Sequence, residues 1–304
     1  MKELVIISGK GGTGKTSISA AFASLASNSV ICDADVDAAN LHLLLDPQPF
    51  EHEDFFGGSL AVINQQQCIE CGTCAELCTF QAISEALVVD PIACEGCGVC
   101  VDFCPEGAID FPVQKCGETF FSDTRFGPMS HARLGIAEEN SGKLVSVIRK
   151  KARQYAEERR ASMILTDGPP GIGCPVIASI TGATAVLIIV ETSLASLHDL
   201  KRVNELAEHF KLPVMVCINK CDVDEQIRSS IEAFTTDKSI EIVGRIPFHH
   251  DVTRAMVEGK TILERSVDPD LEKAIRSSWS NTMRVLDRLG TPQPVQLNFI
   301  TNKE

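Results

Sequence analysis

Ser8 to Thr16 reads Ser-Gly-Lys-Gly-Gly-Thr-Gly-Lys-Thr, and this stretch constrains the fold more than any other. The apolar or small residues Leu4 to Ser8 lead into it as a buried parallel strand would. An Ala/Ser-rich helical stretch, Thr16 to Ser27, follows. Strand, Gly-rich turn and helix are the setting of a phosphate-binding loop. Gly9, Gly11, Gly12 and Gly14 let successive N–H groups around Thr13 and Ser17 turn into one concavity. The helix that starts there adds the positive end of its dipole. Lys15 is placed for the β/γ-phosphates and the Thr16 hydroxyl for Mg²⁺. An ordinary Gly-rich turn would leave the Lys15-Thr16 pair without a reason.

The second constraint is a set of cysteines. Cys68, Cys71, Cys74 and Cys78 are spaced C-x2-C-x2-C-x3-C, and Cys94, Cys97, Cys100 and Cys104 repeat that spacing 26 residues later. The repeat extends past the cysteines, since Ala82-Ile83 matches Ala108-Ile109. This is an internal duplication. Thirteen cysteines without a signal-like leader point to a reducing cytoplasm and metal ligation, not to disulfides. Zinc fits poorly, because its sites favour paired C-x2-C knuckles.

Two resemblances follow from these residues. Lys10 turns the first motif into Lys-Gly-Gly-x-Gly-Lys-Thr, which resembles the deviant Walker A loop of the MinD/ParA/Mrp family and its relative, the nitrogenase iron protein. That resemblance implies an ATP-dependent homodimer in which Lys10 reaches the partner's nucleotide. The cysteine duplication resembles the bacterial two-cluster ferredoxin. It implies two [4Fe–4S] clusters with crossed ligands, one on Cys68, Cys71, Cys74 and Cys104, the other on Cys94, Cys97, Cys100 and Cys78. Thr79 stands where such ferredoxins usually have Pro, which touches turn geometry more than ligation.

Other motifs extend the first resemblance. Asn28 to Asp33 reads as a strand ending in Asp33-Ala-Asp35-Val-Asp37, followed by helix to about Leu45. Acids at the carboxyl end of a parallel strand lie beside the phosphate site. The family match gives Asp35 the attacking water and Asp33 the Mg²⁺ or the loop, with Asp37 expected as a helix N-cap. Asp167-Gly-Pro-Pro-Gly171 resembles the Walker B and switch II sequence, with Asp167 toward Mg²⁺ and the Gly171 N–H toward the γ-phosphate. Cys174 lies seven residues after Asp167, the offset of a cluster-ligating Cys in the nitrogenase iron protein. A bridging cluster or transferred metal at the dimer interface is one reading of Cys174, a small packed residue the other. A second thiol has no clear counterpart beyond Cys116. Asn219-Lys220-Cys221-Asp222 looks like a guanine-reading motif, yet the Lys10 form belongs to ATPases, so Asn219 and the Ile246-Pro247-Phe248 loop are assigned to adenine.

The remaining stretches are read more coarsely. Asp46 to Gly58 is expected as loop and Ser59 to Ile63 as a short strand. Glu118 to Arg125 and Phe126 to Ile136 are expected as strands returning to the main sheet. Asn140-Ser141-Gly142 is expected to cap a basic helix over Lys143 to Arg160 with a solvated Lys/Arg face. His131 is expected to be packed or on the surface, not a ligand, and the helix over Asp268 to Leu289 to close the domain.

The chain of 304 residues has room for one large α/β domain plus a small insert. Alternating strands and helices imply a mainly parallel P-loop sheet with helices on both faces, formed by residues 1–63 and 112–304, with the ferredoxin insert at 64–111. The insert is expected on the side of the switches. A net charge of −13 argues against nucleic-acid binding and against docking on anionic lipid. No apolar run approaches ~18 residues, and the polar, Pro-broken tail at 291–304 lacks the basic helix that holds MinD on membranes. The expected function is ATP-gated electron transfer or metallocluster assembly, with a protein redox partner or metalloprotein client. The alternative is a MinD/ParA-like positioning or regulatory ATPase with the clusters as redox sensor. Clusters acting only as structural staples are a third reading.

Overall fold

The computed structural model describes residues 1–135, 141–265 and 268–290. The first part of the chain forms β1 (Lys2–Ser8), α1 (Lys15–Leu25), β2 (Ser29–Asp33), α2 (Leu41–Leu45) and β3 (Gln48–Ser59). The cysteine region holds β4 (Val62–Ile63), α3 (Thr73–Leu77), α4 (Val99–Asp102) and β5 (Ile109–Asp110). Then come β6 (Val113–Thr124), β7 (Gly127–Leu134), α5 (Ser141–Glu158), β8 (Met163–Pro170), α6 (Cys174–Ile180) and β9 (Ala185–Glu191). The chain continues through α7 (Leu194–His209), β10 (Val214–Asn219), α8 (Glu225–Asp237), β11 (Glu241–Ile246), α9 (His250–Val257) and α10 (Pro269–Leu289).

Nine strands make one sheet in the order β11-β10-β9-β1-β8-β2-β7-β6-β3. All pairings from β11 across to β7 are parallel, and β6 runs antiparallel to both β7 and β3. Central strands are apolar on both faces because helices cover both. Leu4 and Ile6 of β1 pack with Phe22 of α1 and Ile275 of α10, while Val5 and Ile7 pack with Val176 of α6 and Leu200 of α7. Among the described residues no helix is long and apolar enough to cross a membrane.

The expected loop at Asp46 to Gly58 is instead the edge strand β3, 12 residues long and paired along β6 from Gln48↔Asp123 to Ser59↔Val113. Two glycines, a proline and three acids hid it, since such residues are depleted from strands. Pairing with a strand far along the chain overrides that preference. At ~3.3 Å per residue the ribbon is roughly 40 Å long. Because β6 reverses direction and β3 reverses it again, β3 points the same way as β1. Its carboxyl end, where the cysteine region starts, therefore lies at the same end of the sheet as the phosphate loop.

The cysteine region is built as two halves related by the sequence repeat. The Asn64 N–H donates to Ala108 O at 2.8 Å, and the Asp90 N–H, 26 residues on, donates to Ala82 O at 2.7 Å. Val62–Ile63 pairs with Ile109–Asp110, and Ile83 bridges Val89 as the counterpart contact. Gly72 and Gly98 open α3 and α4 at φ 76 and 77. The shared core is small: Ala61, Ile83, Leu87 and Ile109 around the cysteines.

Three further expectations change. Asp37 caps no helix; α2 starts at Leu41, with Asn40 in the N-cap position. The basic face of α5 is only partly solvated, because Arg149 is 4% exposed and, with Arg153, ion-pairs buried Glu3. The strand expected over Phe126 to Ile136 ends at Leu134. Asn140, the expected cap of that helix, and the tail at 291–304 lie outside the described residues.

Candidate functional site

The loop between β1 and α1 lines a cleft of about 440 Å³, within the usual size of a small-ligand site. Gly11 to Ser17, Asp35, Asn219 and Pro247 line it, with Phe248, Val252 and Met256 forming an apolar wall. Gly12 and Gly14 take left-handed conformations, φ 81 and 87, which the curl of the loop requires.

Three carboxylates from two strands, Asp33 and Asp35 at the end of β2 and Asp167 in β8, converge under the loop. Lys15 Nζ lies 3.0 Å from Asp167 Oδ1 and 3.2 Å from Asp35 Oδ2. Burial opposes the Lys15 charge, but Asp167, Asp35 and Asp33 outweigh it and raise its pKa above the usual lysine range. The Thr16 hydroxyl donates to Asp167 Oδ2 at 2.9 Å, and the Ser19 hydroxyl to Asp167 Oδ1 at 2.6 Å. Asp33 Oδ1 accepts the Asp35 N–H, while buried Asp33 Oδ2 has no partner. Burial, and then the Asp167 charge, push the Asp33 carboxyl well above the usual carboxylate range; burial raises Asp35 as well. An orphaned buried carboxylate oxygen beside a hydroxyl and a second acid is the donor set a magnesium ion takes.

Lys10 stays within its own chain here. Its Nζ is 2.7 Å from Glu191 Oε1 and donates to Ser193 Oγ at 3.3 Å. Lys220 Nζ takes the other Glu191 oxygen at 2.6 Å and donates to Gly12 O at 3.0 Å. The Asn219 amide donates to Thr13 O at 2.7 Å. Asp222, which would read guanine, accepts the Phe248 N–H at 2.7 Å. The Gly171 N–H donates to Ser8 O at 2.8 Å. Sequence reasoning passed over Ser19, Glu191 and Lys220. Only Ser19 had a signal, one turn from Thr16 on the same helix face.

The eight repeat cysteines surround two cavities, and each cavity draws on both halves. Cys68, Cys71 and Cys74 line the first together with Cys104; Cys94, Cys97 and Cys100 line the second together with Cys78. Backbone N–H groups point at the sulfurs, Ala82 to Cys78 and Ala108 to Cys104, both at 3.3 Å. Among the described residues, the one trio of His, Cys, Asp or Glu ligand atoms within 4.8 Å of each other is His52, Asp54 and Glu118. Those carboxylates already pair with Lys115 and Arg133. No three cysteine sulfurs are that close, whereas four thiolates on one zinc ion sit about 3.8 Å apart. Neither set is drawn together as a single bound ion would require.

Cys174 is exposed at the start of α6, and Cys116 is buried in β6, with its Sγ accepting the Gly58 N–H. Neither joins a ligand trio among the described residues. Cys32 and Cys217 are buried, and burial pushes the Cys217 thiol up to about 12. His131 is packed against Phe120 and hydrogen-bonded to Ser122, with burial and the nearby His42 lowering it to about 4.

The family model of the CobQ/CobB/MinD/ParA nucleotide binding domain (CbiA) matches residues 4–262. Uncharacterized protein MJ0578 of Methanocaldococcus jannaschii is 33% identical over 264 residues, covering 86% of this chain and 89% of its own. Uncharacterized ATP-binding protein MJ0547 of the same organism is 23% identical over 278 residues, covering 90% and 84%. The septum site-determining protein MinD of Pyrococcus horikoshii, complexed with Mg-ADP, superposes with a TM-score of 0.59 at 14% identity, over 96% of this chain and 99% of that one. The MinC:MinD cell division complex of Aquifex aeolicus gives 0.56 at 18% identity, over 93% and 96%. At such identities the superpositions speak for the fold alone. The sequence match runs from β1 to past α9: the chain belongs to the CobQ/CobB/MinD/ParA nucleotide-binding family and is an ATP-binding ATPase of the MinD/ParA type.

Proposed function

We propose that this ATPase is a homodimeric switch whose insert, residues 64–111, is a ferredoxin-like domain with two [4Fe–4S] clusters that respond to the nucleotide state. The observation that carries the reading is the crossing of the cysteine sets, three from one half and one from the other around each cavity. Such crossing ties the two halves together and gives a small insert a fold its own core would not sustain. Bound there, each cluster supplies a one-electron centre, or iron and sulfide for delivery to a client.

The chain's own residues divide the ATPase work. Lys15 and the loop N–H groups from Gly9 to Ser17 hold the phosphates. Thr16, Asp33 and Asp167 hold Mg²⁺, and Asp35 orients water. Asn219 and Pro247 face adenine. Lys10 leaves Glu191 to serve the partner's nucleotide when the dimer closes. Gly171 exchanges its bond to Ser8 O for the γ-phosphate, which moves the start of α6. Cys174, exposed on that start, is available to a metal shared between subunits. The acceptor or client is a protein, and the net negative charge disfavours nucleic acid and membrane.

The likeness to MinD favours a second reading for the output: a regulatory or positioning switch in which the clusters sense redox state. The two readings part on direction. In the first, ATP changes cluster potential or transfer; in the second, cluster reduction changes ATPase rate or dimerisation. The test of the shared premise is iron per chain with EPR after anaerobic purification. Cys104→Ser should remove the same signal as Cys68→Ser, although the two lie in different runs. Loss of different signals by the two variants would refute the crossing.

A further inference from the structure

The insert differs in charge from the rest of the chain. Residues 64–111 contain eight acids and no Lys, Arg or His, so they supply −8 of the net −13. All eight acids are exposed, and among the described residues none of them is in an ion pair. The nearest basic residue in sequence, Lys115, is taken by Asp54 and Glu118. Elsewhere acids are widely neutralised, as Glu3, Glu51, Glu191 and Glu241 are. An unpaired field of one sign raises the encounter rate with an opposite partner.

Exposed apolar residues stand inside this field at the cavity mouths. Ile69, 60% exposed, lines the first cavity beside Cys71 and Glu106; Phe80 lines the second beside Cys97 and Glu95. The two cavities differ in their distance from the ribbon. The second cavity is lined by Ala61 and Phe111, close to the ribbon end, and Gly96 lies against Ser59 O. The first is lined by Ile63 and Ile109, farther along the insert. The first cavity is therefore distal to the ATPase body and the second proximal.

We propose that the mouth of the distal cavity, centred on Ile69 and rimmed by Glu70 and Glu106, docks a protein partner that presents a basic rim around an apolar centre. An apolar centre inside a charged rim is the common plan of a protein interface, with the rim setting the encounter and the centre the residence time. The proposal rests on the cluster reading above, because a docked partner there would lie against the Cys71 edge of the cavity.

The test uses mitochondrial cytochrome c, a small basic haem protein, titrated in its oxidised form into the full chain as purified anaerobically, with its iron content measured, by calorimetry at low ionic strength. Glu70→Lys with Glu106→Lys should weaken binding about tenfold, and the difference should shrink toward nothing near 0.5 M salt. Glu95→Lys with Asp90→Lys makes the same change in net charge beside the proximal cavity, whose lining includes Glu95, Val89 and Ala82, and should cost less than threefold on the same logic. Ile69→Ser should weaken binding at every salt concentration. Equal losses for the two charge pairs, or no binding by the parent chain, overturn the docking surface. The isotherm requires no electron to move, so absent iron in the purified chain sinks the cluster reading alone. Unchanged circular dichroism in each variant separates lost docking from lost folding.

Discussion

Glu191→Gln is the most informative single change near the nucleotide. The Glu191 carboxylate places one oxygen 2.7 Å from Lys10 and the other 2.6 Å from Lys220. Burial opposes its charge, yet the two ammonium groups outweigh burial and hold it below the usual glutamate range. Glutamine keeps the shape and removes the charge. A hydrogen bond to a charged group contributes about 1.5–3 kcal/mol, against about 0.5–1.5 for a neutral one. For two such bonds the difference is about 2–3 kcal/mol, and exposure of the lysines brings the expected loss of stability to about 1–2 kcal/mol. The same change leaves two cations on the phosphate loop without their counterion. Nucleotide phosphates would meet them, so ATP should bind about tenfold tighter, a gain of about 1.4 kcal/mol. ATP-dependent dimerisation should then begin at lower nucleotide, because Lys10 no longer leaves a cis partner. Fluorescent-ATP titration and sedimentation velocity read the two effects. A variant that binds ATP no tighter and dimerises as the parent does would show that Glu191 is not what holds Lys10. The pH sign is fixed by the depressed carboxyl: its contribution is present above the unfolded value of about 4.3 and fades as pH falls through the folded one. The stability gap between parent and variant should therefore narrow as pH falls below the unfolded value of about 4.3.

Gly14→Ala should abolish measurable ATP binding while leaving circular dichroism intact, because φ is +87 there and a Cβ would collide with the Asn219 amide; retained affinity would mean the loop tolerates a different curl. Arg149→Leu strands Glu3, 5% exposed, with Arg153 as its remaining cation, and should cost about 3 kcal/mol, the low end for a broken buried pair. Adding Glu3→Gln should return more than half of that loss in urea denaturation; a simple sum of the two single losses would refute the coupling.

What could be read from the chain was local. The loop from Gly9 to Thr16, the acids at the ends of β2 and β8 and the cysteine spacing are short motifs whose geometry follows from residues a few positions apart. The crossing of the cysteine sets was legible only through the resemblance to two-cluster ferredoxins, since a duplication alone is equally compatible with each run closing on itself. What escaped was set by distant partners. β3 exists because β6, more than fifty residues on, offers it a ladder; its own Pro49, Gly57 and Gly58 argue for loop. Arg149 and Arg153 read as a solvated stripe because Glu3 lies about 150 residues earlier. Glu191 and Lys220 carry no motif that names Lys10 and Gly12 as their partners.

The placement of α5 decides how far a change at the nucleotide can travel. Arg149 donates to Ala178 O at 2.5 Å and to Thr181 O at 3.0 Å, which pins the carboxyl end of α6. At the other end, Gly142 packs against Cys174, where α6 begins. On its outer side α5 grips the ribbon: Lys151 pairs with Glu51 and Glu53, Tyr155 bonds Glu51, and Lys143 lies over the Phe55 ring. The ribbon ends at the insert. A motion of α6 that keeps the Arg149 bonds must pivot about its carboxyl end and swing the Gly171–Pro175 end against Gly142. That contact is close, since a Cβ added at Gly142 would stand 3.3 Å from the Cys174 Cβ. A close-packed interface without voids passes displacement on, so α5, and through it β3, would take up the swing.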